Sequence, residues 1–206
     1  MLQVLGRPNS VNVQKVMWCL AELGQTVQRH DVGGPFGGND QADYLARNPN
    51  GKVPTLLDGD YVLWESNAIV RYLCDQYGVA SWYPGTAQRR GHANQWMDWY
   101  LTELHPSMTT LFWQLIRTEA AMRDHTALDA AIAKCTSAWG MLDQHLTANT
   151  YILGDDITMA DIPLACAAYR WHAMDFERPD LPAFKKWWTR ISERPAYKQH
   201  VMLPLT

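Results

Sequence analysis

The spacing of apolar positions changes along the chain, and this change divides it into two parts. Up to about Gly78, apolar runs of strand length alternate with stretches in which apolar residues recur at helical steps of three and four. The predicted strands are Leu2–Leu5, Val27–Val32, Thr55–Asp58 and Tyr61–Trp64, and the predicted helices are Val11–Leu23, Gln41–Arg47 and Asn67–Tyr77. The first part therefore has the predicted order βαβαββα.

Beyond Gly78 the spacing is helical. The predicted helices are Gln88–Thr118, Ala127–Leu146, Met159–Met174, Leu181–Arg194 and Ala196–Val201. His105-Pro106 is expected to kink or divide the first of them, because proline lacks an amide donor and clashes with the preceding turn. We interpret residues 79–87, which include Pro84-Gly85, as a linker between an α/β domain of residues 1–78 and an all-α domain of residues 88–206.

A capping signal precedes the helix predicted over Met159–Met174. Thr158 is placed as the N-cap and Asp161 three residues later, which is a variant of the capping box, and Ile157 and Ile162 can form a hydrophobic staple. Such a motif stabilises the start of a helix. We therefore assign Thr158 and Asp161 to folding rather than to chemistry.

Residues 50–69 combine a turn, a hairpin and a polar helix start. Asn50-Gly51 favours a turn with positive φ, and Asp58-Gly59-Asp60 is typical of a tight hairpin. In Val53-Pro54 the proline has no amide donor, so the neighbouring backbone edge is free to face a ligand. Glu65-Ser66 opens the next helix, where a hydroxyl and free amides suit a carboxylate and the Glu65 carboxylate suits an ammonium group. Each feature also occurs alone for purely structural reasons.

A second group of polar residues lies at the start of the first predicted helix. Ser10 and Asn12 lie at its first turn, where unpaired amides and the helix dipole favour an anion. Lowering the pKa of a thiol by two units requires about 2.7 kcal/mol of preference for the thiolate. One charge-assisted hydrogen bond contributes about 1.5–3 kcal/mol, so one donor together with the helix terminus is sufficient to stabilise a bound thiolate. The structural alternative is that Ser10 or Asn12 only caps the helix.

Together these residues resemble the glutathione-binding segment of the cytosolic glutathione S-transferase family, in its bacterial theta-like or nu-like form. The resemblance implies a thioredoxin-like N-terminal domain followed by a helical domain, with glutathione as the co-substrate. It implies that the backbone of Val53, before a cis Pro54, pairs with the cysteinyl part of glutathione, and that Glu65 and Ser66 hold the γ-glutamyl group. It also implies a role in detoxification and a homodimer with the third and fourth helices at its interface.

The same resemblance concerns the thiol. In serine-type classes a Ser near the start of the first helix contacts the thiolate, whereas the nu-like class has a Thr there and an Asn two residues later. Ser10 and Asn12 satisfy both patterns, so either can dominate. No Tyr lies near this turn and Cys19 lies in mid-helix, which argues against the tyrosine-type and cysteine-type classes.

The run Gly33–Gly38 lacks the spacing of a dinucleotide-binding loop, and no long helix follows it. We expect instead a loop beside the glycyl end of glutathione. Asn39 and Lys52 are candidate contacts there, with Lys52 suited to the glycine carboxylate. A solvated turn lysine is an equal alternative for Lys52.

The chain contains ten tryptophans, most of which are expected in the core; the candidates are Trp96, Trp139, Trp187 and Trp188. A minority of aromatic residues should line an apolar cleft for an electrophile, since such a co-substrate needs an apolar wall. In relatives that wall comes from the fourth helix and nearby chain. Met108, Phe112 and Trp113 are the candidates for this electrophile site.

Composition narrows the class of function. The net charge of −3 and the mixed distribution of charges indicate no nucleic-acid partner. The apolar runs are too short to span a bilayer, and the N-terminus is expected to be a strand rather than a signal peptide. Four widely spaced cysteines, Cys19, Cys74, Cys135 and Cys166, are typical of a reduced cytoplasmic protein. No metal-ligand spacing is found among the scattered histidines.

Several functions are compatible with these residues. The preferred prediction is a glutathione S-transferase that activates the thiol for attack on a small apolar electrophile or disulfide. The main alternative is a glutathione-dependent disulfide reductase or peroxidase, as in nu-like relatives. A zeta-like isomerase is disfavoured because Asn9-Ser10-Val11 replaces the Ser-Ser-Cys run typical of that class. A non-catalytic protein that binds glutathione or apolar ligands is the remaining alternative.

Overall fold

A computed structural model describes residues 1–79 and 81–206; Ala80, in the predicted linker, lies outside the described residues. The chain forms two compact units. The first comprises Met1–Tyr83 with Pro195–Leu203, and the second comprises Pro84–Arg194 with Pro204–Thr206. Among the described residues, no helix is long and apolar enough to cross a membrane.

The first unit contains a four-stranded mixed sheet of order β2-β1-β3-β4. Its strands are β1 (Leu2–Leu5), β2 (Val27–His30), β3 (Thr55–Asp58) and β4 (Tyr61–Trp64). Strand β1 is parallel to β2 and antiparallel to β3, and β3 and β4 form the predicted hairpin. The sequence predicts β2 to Val32, but the strand ends at His30 because His30 pairs with Leu5, the last residue of β1.

Four helices accompany this sheet: α1 (Val11–Glu22), α2 (Ala42–Leu45), α3 (Ser66–Tyr77) and α9 (Pro195–His200). The predicted βαβαββα order is confirmed. The core contains side chains of the sheet and of α1 and α3 that are fully buried, including Val4, Leu56, Val16, Ile69 and Leu73. The chain returns to this unit at its C-terminal end, where Tyr197 of α9 packs edge-on against Trp18 of α1 with ring centroids 4.9 Å apart.

Asp58 joins helix α3 to the hairpin. The hydroxyl of Tyr72 donates to Asp58 Oδ2 at 2.8 Å, and the hydroxyl of Tyr77 donates to the same oxygen. The shared carboxylate and burial both raise the pKa of the two phenols, so they stay protonated donors. These bonds connect the last turns of α3 to the end of β3.

The second unit is helical, as predicted. Its helices are α4 (Ala87–Trp99), α5 (His105–Phe112), α6 (His125–Leu146), α7 (Asp161–Ala173) and α8 (Pro182–Ser192). Between α4 and α5, residues Tyr100–Leu104 form a π-type turn in which the amide of His105 donates to the carbonyl of Tyr100. A second π-type turn, Trp113–Arg117, follows α5. The disruption predicted at His105-Pro106 therefore takes the form of a π-type turn just before the proline.

Helix α7 begins at Asp161, two residues after the predicted start at Met159. Asp161 Oδ2 accepts from the amide of Thr158 at 2.9 Å and from its hydroxyl at 3.3 Å, while Thr158 Oγ1 accepts from the amide of Ala160. Asp161 Oδ1 accepts from the amide of Ile152 and from Trp187 Nε1. The predicted bonds between Thr158 and Asp161 are present, but the residue directly before the helix is Ala160 rather than Thr158. The Asp161 carboxylate also joins α7 to α8.

Aromatic side chains fill the core of the second unit. Trp139 and Trp187 are fully buried, as predicted, and the ring of Trp139 lies 4.6 Å from that of Phe184. Trp96 and Trp188 are only half-buried. Trp188 stacks on the half-buried His172 with centroids 3.9 Å apart.

Candidate active site

Ser10 is the residue before the first turn of α1, with φ −78° and ψ 122°. Its carbonyl accepts the first helical bond, from the amide of Gln14 at 2.9 Å, but its hydroxyl makes no capping bond. The residue is buried, with 8% of its surface exposed. A serine before a helix normally satisfies a free amide with its hydroxyl, so the structure does not support the interpretation of Ser10 as a simple cap.

Asn12 and Ser66 meet where the first turns of α1 and α3 come together. The Ser66 hydroxyl donates to Asn12 Oδ1 at 3.2 Å. Ser66 and the following Asn67 are buried, whereas Asn12 is half-buried. The predicted thiol position and the predicted γ-glutamyl position are thus joined by a direct hydrogen bond.

Lys15 lies beneath this pair and is absent from the residues predicted for the site. Its Nζ donates to Asn12 Oδ1 at 2.9 Å, to Ser66 Oγ at 3.4 Å and to Asn67 Oδ1 at 3.4 Å. The side chain is completely buried. Lysine is very rarely buried to this degree. The ammonium group of Lys15 connects the polar side chains at the starts of the two helices.

Val53 precedes a cis peptide bond to Pro54, as the family resemblance implies. The carbonyl of Lys52 accepts from the hydroxyl of Tyr44 at 2.6 Å and from Asn48 Nδ2 at 2.7 Å. Burial raises the pKa of the Tyr44 phenol. These bonds fix the backbone on the N-terminal side of Val53, which itself is half-exposed.

The loop before α2 lies close to Val53. Gly33 has φ 81°, and a Cβ there would lie 3.3 Å from Val53 Cγ1. Asn39 Nδ2 donates to the carbonyl of Gly51 at 2.8 Å, which ties this loop to the turn before Val53. Lys52 is exposed. Asn39 therefore has a structural bond in addition to its predicted role, while Lys52 points its charge toward solvent.

Glu65 directly precedes α3 and is the one non-glycine with positive φ among the described residues, at φ 71° and ψ 110°. Its side chain is exposed, whereas Ser66 is buried. The sequence predicts this helix from Asn67, and the structure begins it at Ser66. The backbone amides of the first turn of α3 consequently lie beside the Ser66 hydroxyl, an arrangement suited to a carboxylate.

The three residues predicted for the electrophile site belong to the second unit and differ in exposure. Met108 is 4% and Phe112 5% exposed, whereas Trp113 is 53% exposed. The guanidinium of Arg170 lies 4.1 Å from the centre of the Phe112 ring. Trp113 thus offers accessible apolar surface, and the other two are packed side chains.

Comparison with known proteins identifies the class that this fold and site define. A family model described as the glutathione S-transferase N-terminal domain matches residues 1–75, and one described as the C-terminal domain matches residues 104–195. The chain belongs to the glutathione S-transferase family, and its activity class is that of a glutathione transferase. The resemblance inferred from the sequence is confirmed.

Individual relatives cover all or nearly all of the chain. It is 38% identical to glutathione S-transferase GstB of Escherichia coli K12, over 100% of both chains. It is 31% identical to glutathione S-transferase 3 of Zea mays, over 97% of this chain and 93% of that protein. A crystal structure of the theta class glutathione S-transferase from Xanthomonas axonopodis pv. citri with glutathione bound matches with a TM-score of 0.96 and 44% identity, over 100% of this chain and 99% of that one.

Proposed function

We propose that this chain binds glutathione in its first unit and stabilises the thiol as a thiolate for attack on an electrophile. The observation that carries the proposal is the 3.2 Å hydrogen bond between Ser66 and Asn12. It joins a helix start suited to a carboxylate with a helix start suited to a thiolate. One extended peptide with an anionic end and a thiol can therefore use both helix starts at once.

In the proposed complex the γ-glutamyl carboxylate binds at Ser66 and the amides of α3, and the Glu65 carboxylate pairs with the α-ammonium group. The backbone of Val53 pairs with the cysteinyl residue, and Pro54, which follows it, has no amide donor that would compete for this partner. Asn39 and Lys52 are the contacts for the glycyl end. The exposed ammonium of Lys52 can reach the glycine carboxylate without the cost of desolvating a buried charge.

The chemical step needs a thiolate rather than a protein nucleophile. The glutathione thiol releases its proton to solvent, and the sulfur is held by donors at the start of α1, the Ser10 hydroxyl and the Asn12 side-chain amide. The sulfur lone pair then forms a bond to the electrophilic carbon, and the leaving group departs with its bonding pair. Each donor needs to supply only about 1.5–3 kcal/mol to shift ionisation by one to two pKa units.

The apolar co-substrate is proposed to contact the second unit through Trp113, with Met108 and Phe112 as the packed residues behind it. The exposed indole of Trp113 is the accessible apolar surface among the three. A Trp113→Ala variant is expected to raise KM for an apolar electrophile while leaving the affinity for glutathione unchanged. An unchanged KM would remove Trp113 from the electrophile site.

We also propose a cytoplasmic homodimer with α3 and α4 at its interface. Support comes from β4, the edge strand of the sheet, on which Tyr61, Val62 and Trp64 are exposed. An exposed apolar edge strand invites pairing or aggregation unless another surface covers it. Sedimentation velocity tests the proposal, and a monomer at micromolar concentration would refute it.

The decisive experiment measures the thiol pKa of bound glutathione by ultraviolet difference absorption, in wild type and in Ser10→Ala and Asn12→Ala variants. In wild type we expect ionisation at least one pKa unit below the free value of about 8.5. The variant that removes the dominant donor should restore the free value while glutathione still binds. Binding with an unshifted thiol in wild type would favour a non-catalytic glutathione-binding protein.

A second candidate function is glutathione-dependent reduction of disulfides or peroxides. The position of Asn12 in the site favours it, since an asparagine here is the feature that resembles the nu-like class. With a disulfide, the thiolate would attack one sulfur and expel the other as a thiolate, and a second glutathione thiolate would attack the mixed disulfide, expelling the remaining thiolate and forming oxidised glutathione. With a peroxide, the attack would break the O–O bond, releasing an alcohol and leaving a sulfenic acid on glutathione, which a second glutathione converts to oxidised glutathione and water. Parallel assays with a small disulfide, a hydroperoxide and an aromatic halide decide between the two functions.

A further inference from the structure

We infer that Lys15 is a positioning residue, whose buried ammonium orients the Asn12 side chain so that its amide N–H faces the glutathione sulfur. This inference rests on the proposed function: Lys15 orients the side chains of the proposed site before glutathione binds. In the proposed complex Lys15 acts through Asn12 and Ser66, to which it donates hydrogen bonds.

The chemistry of the donors fixes the orientation of Asn12. A lysine ammonium group has three donors and no acceptor, so the atom of Asn12 that lies 2.9 Å from Lys15 Nζ must be the carbonyl oxygen. The Ser66 hydroxyl donates to that same oxygen at 3.2 Å. With both donors on Oδ1, the Nδ2 group is turned to the opposite side of the carboxamide. The orientation of an asparagine side chain is often ambiguous, but here its partners decide it.

The ammonium group of Lys15 also orients the hydroxyl of Ser66. Lys15 Nζ lies 3.4 Å from Ser66 Oγ, and Ser66 donates its only proton to Asn12. When a carboxylate binds at the start of α3, the hydroxyl can turn its proton to that anion while its lone pair still faces the ammonium. Asn12 then keeps its bond to Lys15, which is the shorter of its two bonds.

Lys15 therefore links the two proposed anions of glutathione. A buried positive charge lies within hydrogen-bonding distance of the residue for the carboxylate and of the residue for the thiolate. In a medium of low dielectric constant this charge favours both anions more strongly than an exposed lysine would. Its burial is expensive without partners, and the oxygens of Asn12, Ser66 and Asn67 provide acceptors.

The test compares Lys15→Met, Lys15→Gln and Lys15→Arg by two measurements, the Kd for glutathione and the thiol pKa of bound glutathione. Methionine keeps the length but has no donor and no charge, so the bound thiol pKa should rise by at least one unit. Glutamine keeps a donor without the charge and should give an intermediate value. Arginine keeps the charge and donors and should restore most of the shift.

Asp58→Ala provides the matched control. It removes the bonds from Tyr72 and Tyr77, and so loosens α3 within the same unit without changing the cluster at the helix starts. We expect lower thermal stability and a thiol pKa equal to that of wild type. If Lys15→Met and Asp58→Ala lower stability alike and both leave the thiol pKa unchanged, Lys15 is only structural and the inference is overturned.

A measurement on wild type covers the case in which Lys15→Met does not fold. The side-chain amide signals of Asn12, assigned by their loss in Asn12→Asp, should shift downfield with glutathione and much less with S-methylglutathione, which has no thiolate. Equal shifts with the two ligands would refute the orientation. If wild type does not ionise glutathione at all, the proposed function fails; if it does and the Lys15 variants match it, only this inference fails.

Discussion

At the scale of single residues, the backbone conformation of Glu65 affects both stability and the proposed glutathione site. Its φ of 71° and ψ of 110° belong to a region that non-glycine residues rarely adopt, at a cost of about 1–3 kcal/mol. A Glu65→Gly variant removes this strain, although glycine loses more conformational entropy on folding. We expect a net gain of about 1 kcal/mol in the free energy of unfolding, measured in urea, together with weaker glutathione binding.

Glu65→Ala separates these two effects. It removes the proposed ammonium partner but retains a Cβ and therefore the strain. Both variants should bind glutathione less tightly than wild type, and only the glycine variant should be more stable. Equal stability of the two would show that the conformation of Glu65 is not strained, whereas unchanged binding in both would remove the carboxylate from the site.

The predictability of the site also differs from residue to residue. Ser66 and Asn12 were accessible to sequence reasoning because each stands at a predicted helix start, where a polar side chain has a recognisable role. Lys15 is separated from Ser66 by 51 positions and from Asn67 by 52. Nothing in the local pattern of a helix indicates that a lysine one turn after Asn12 points inward, because its partners come from another helix.

At the element scale, Asp161 stabilises more than the start of its own helix. Its carboxylate accepts from Thr158, Ile152 and Trp187, and all these bonds are buried. In Asp161→Ala the donors lose their acceptor, and each buried unsatisfied donor costs about 1–3 kcal/mol. We expect the free energy of unfolding to fall by about 3 kcal/mol or more, measured in urea.

Asp161→Asn is the conservative comparison. It keeps one carbonyl acceptor but places an NH2 group against donors, so its loss of stability should be large as well. Glutathione binding per folded molecule should stay at the wild-type level in both variants. A variant with the wild-type melting temperature and lost activity would instead assign Asp161 to chemistry.

Elements were predictable where their signal is local, and less so where it depends on neighbours. The strands Thr55–Asp58 and Tyr61–Trp64 have the predicted bounds because their hairpin turn is encoded in adjacent residues. Pro106 predicts an interruption of the helix, but the sequence does not distinguish between a kink, a break and a π-type turn. That choice depends on how the side chains of α4 and α5 pack within the second unit.

The stability of the whole molecule should depend on pH through His172. Burial, together with Arg178 and Lys185 nearby, lowers the pKa of this imidazole to about 4, and its Nε2 is buried without a hydrogen-bond partner among the described residues. The unfolded chain takes up the proton near pH 6.5. Between about pH 6.5 and 4 the unfolded state therefore binds more protons, and stability falls as pH falls.

Asp161 acts in the opposite direction. Burial raises its pKa to about 6, against the effect of its donors, so the folded state binds more protons between about pH 3.8 and 6. The two residues partly cancel in wild type. A His172→Phe variant, which keeps the stack on Trp188, should lose less stability than wild type between pH 6.5 and 4, by up to about 2 kcal/mol given partial solvent access. Parallel stability curves for the two proteins would contradict the assignment.

The division of the chain illustrates a limit of prediction at this scale. The linker prediction, residues 79–87, rests on Pro84-Gly85 and on the change of apolar spacing, both visible in the sequence. The sequence-based division also counts the last helix with the second domain because it follows other helices. In the structure this segment belongs to the first unit, through a contact between Tyr197 and Trp18 that only a folded chain reveals.

The reactivity of the four buried cysteines reports local unfolding of each unit. Cys19 and Cys74 are fully buried in α1 and α3 with their sulfurs 3.7 Å apart, and Cys135 and Cys166 are fully buried in the second unit. A thiol reagent reaches such a sulfur only when the surrounding structure opens. The labelling rate of Cys19 and Cys74 consequently reports how often α1 and α3, which begin at the proposed thiol and carboxylate positions, separate. The labelling rate of Cys135 and Cys166 reports local unfolding of the second unit, so both events can be followed in the wild-type protein.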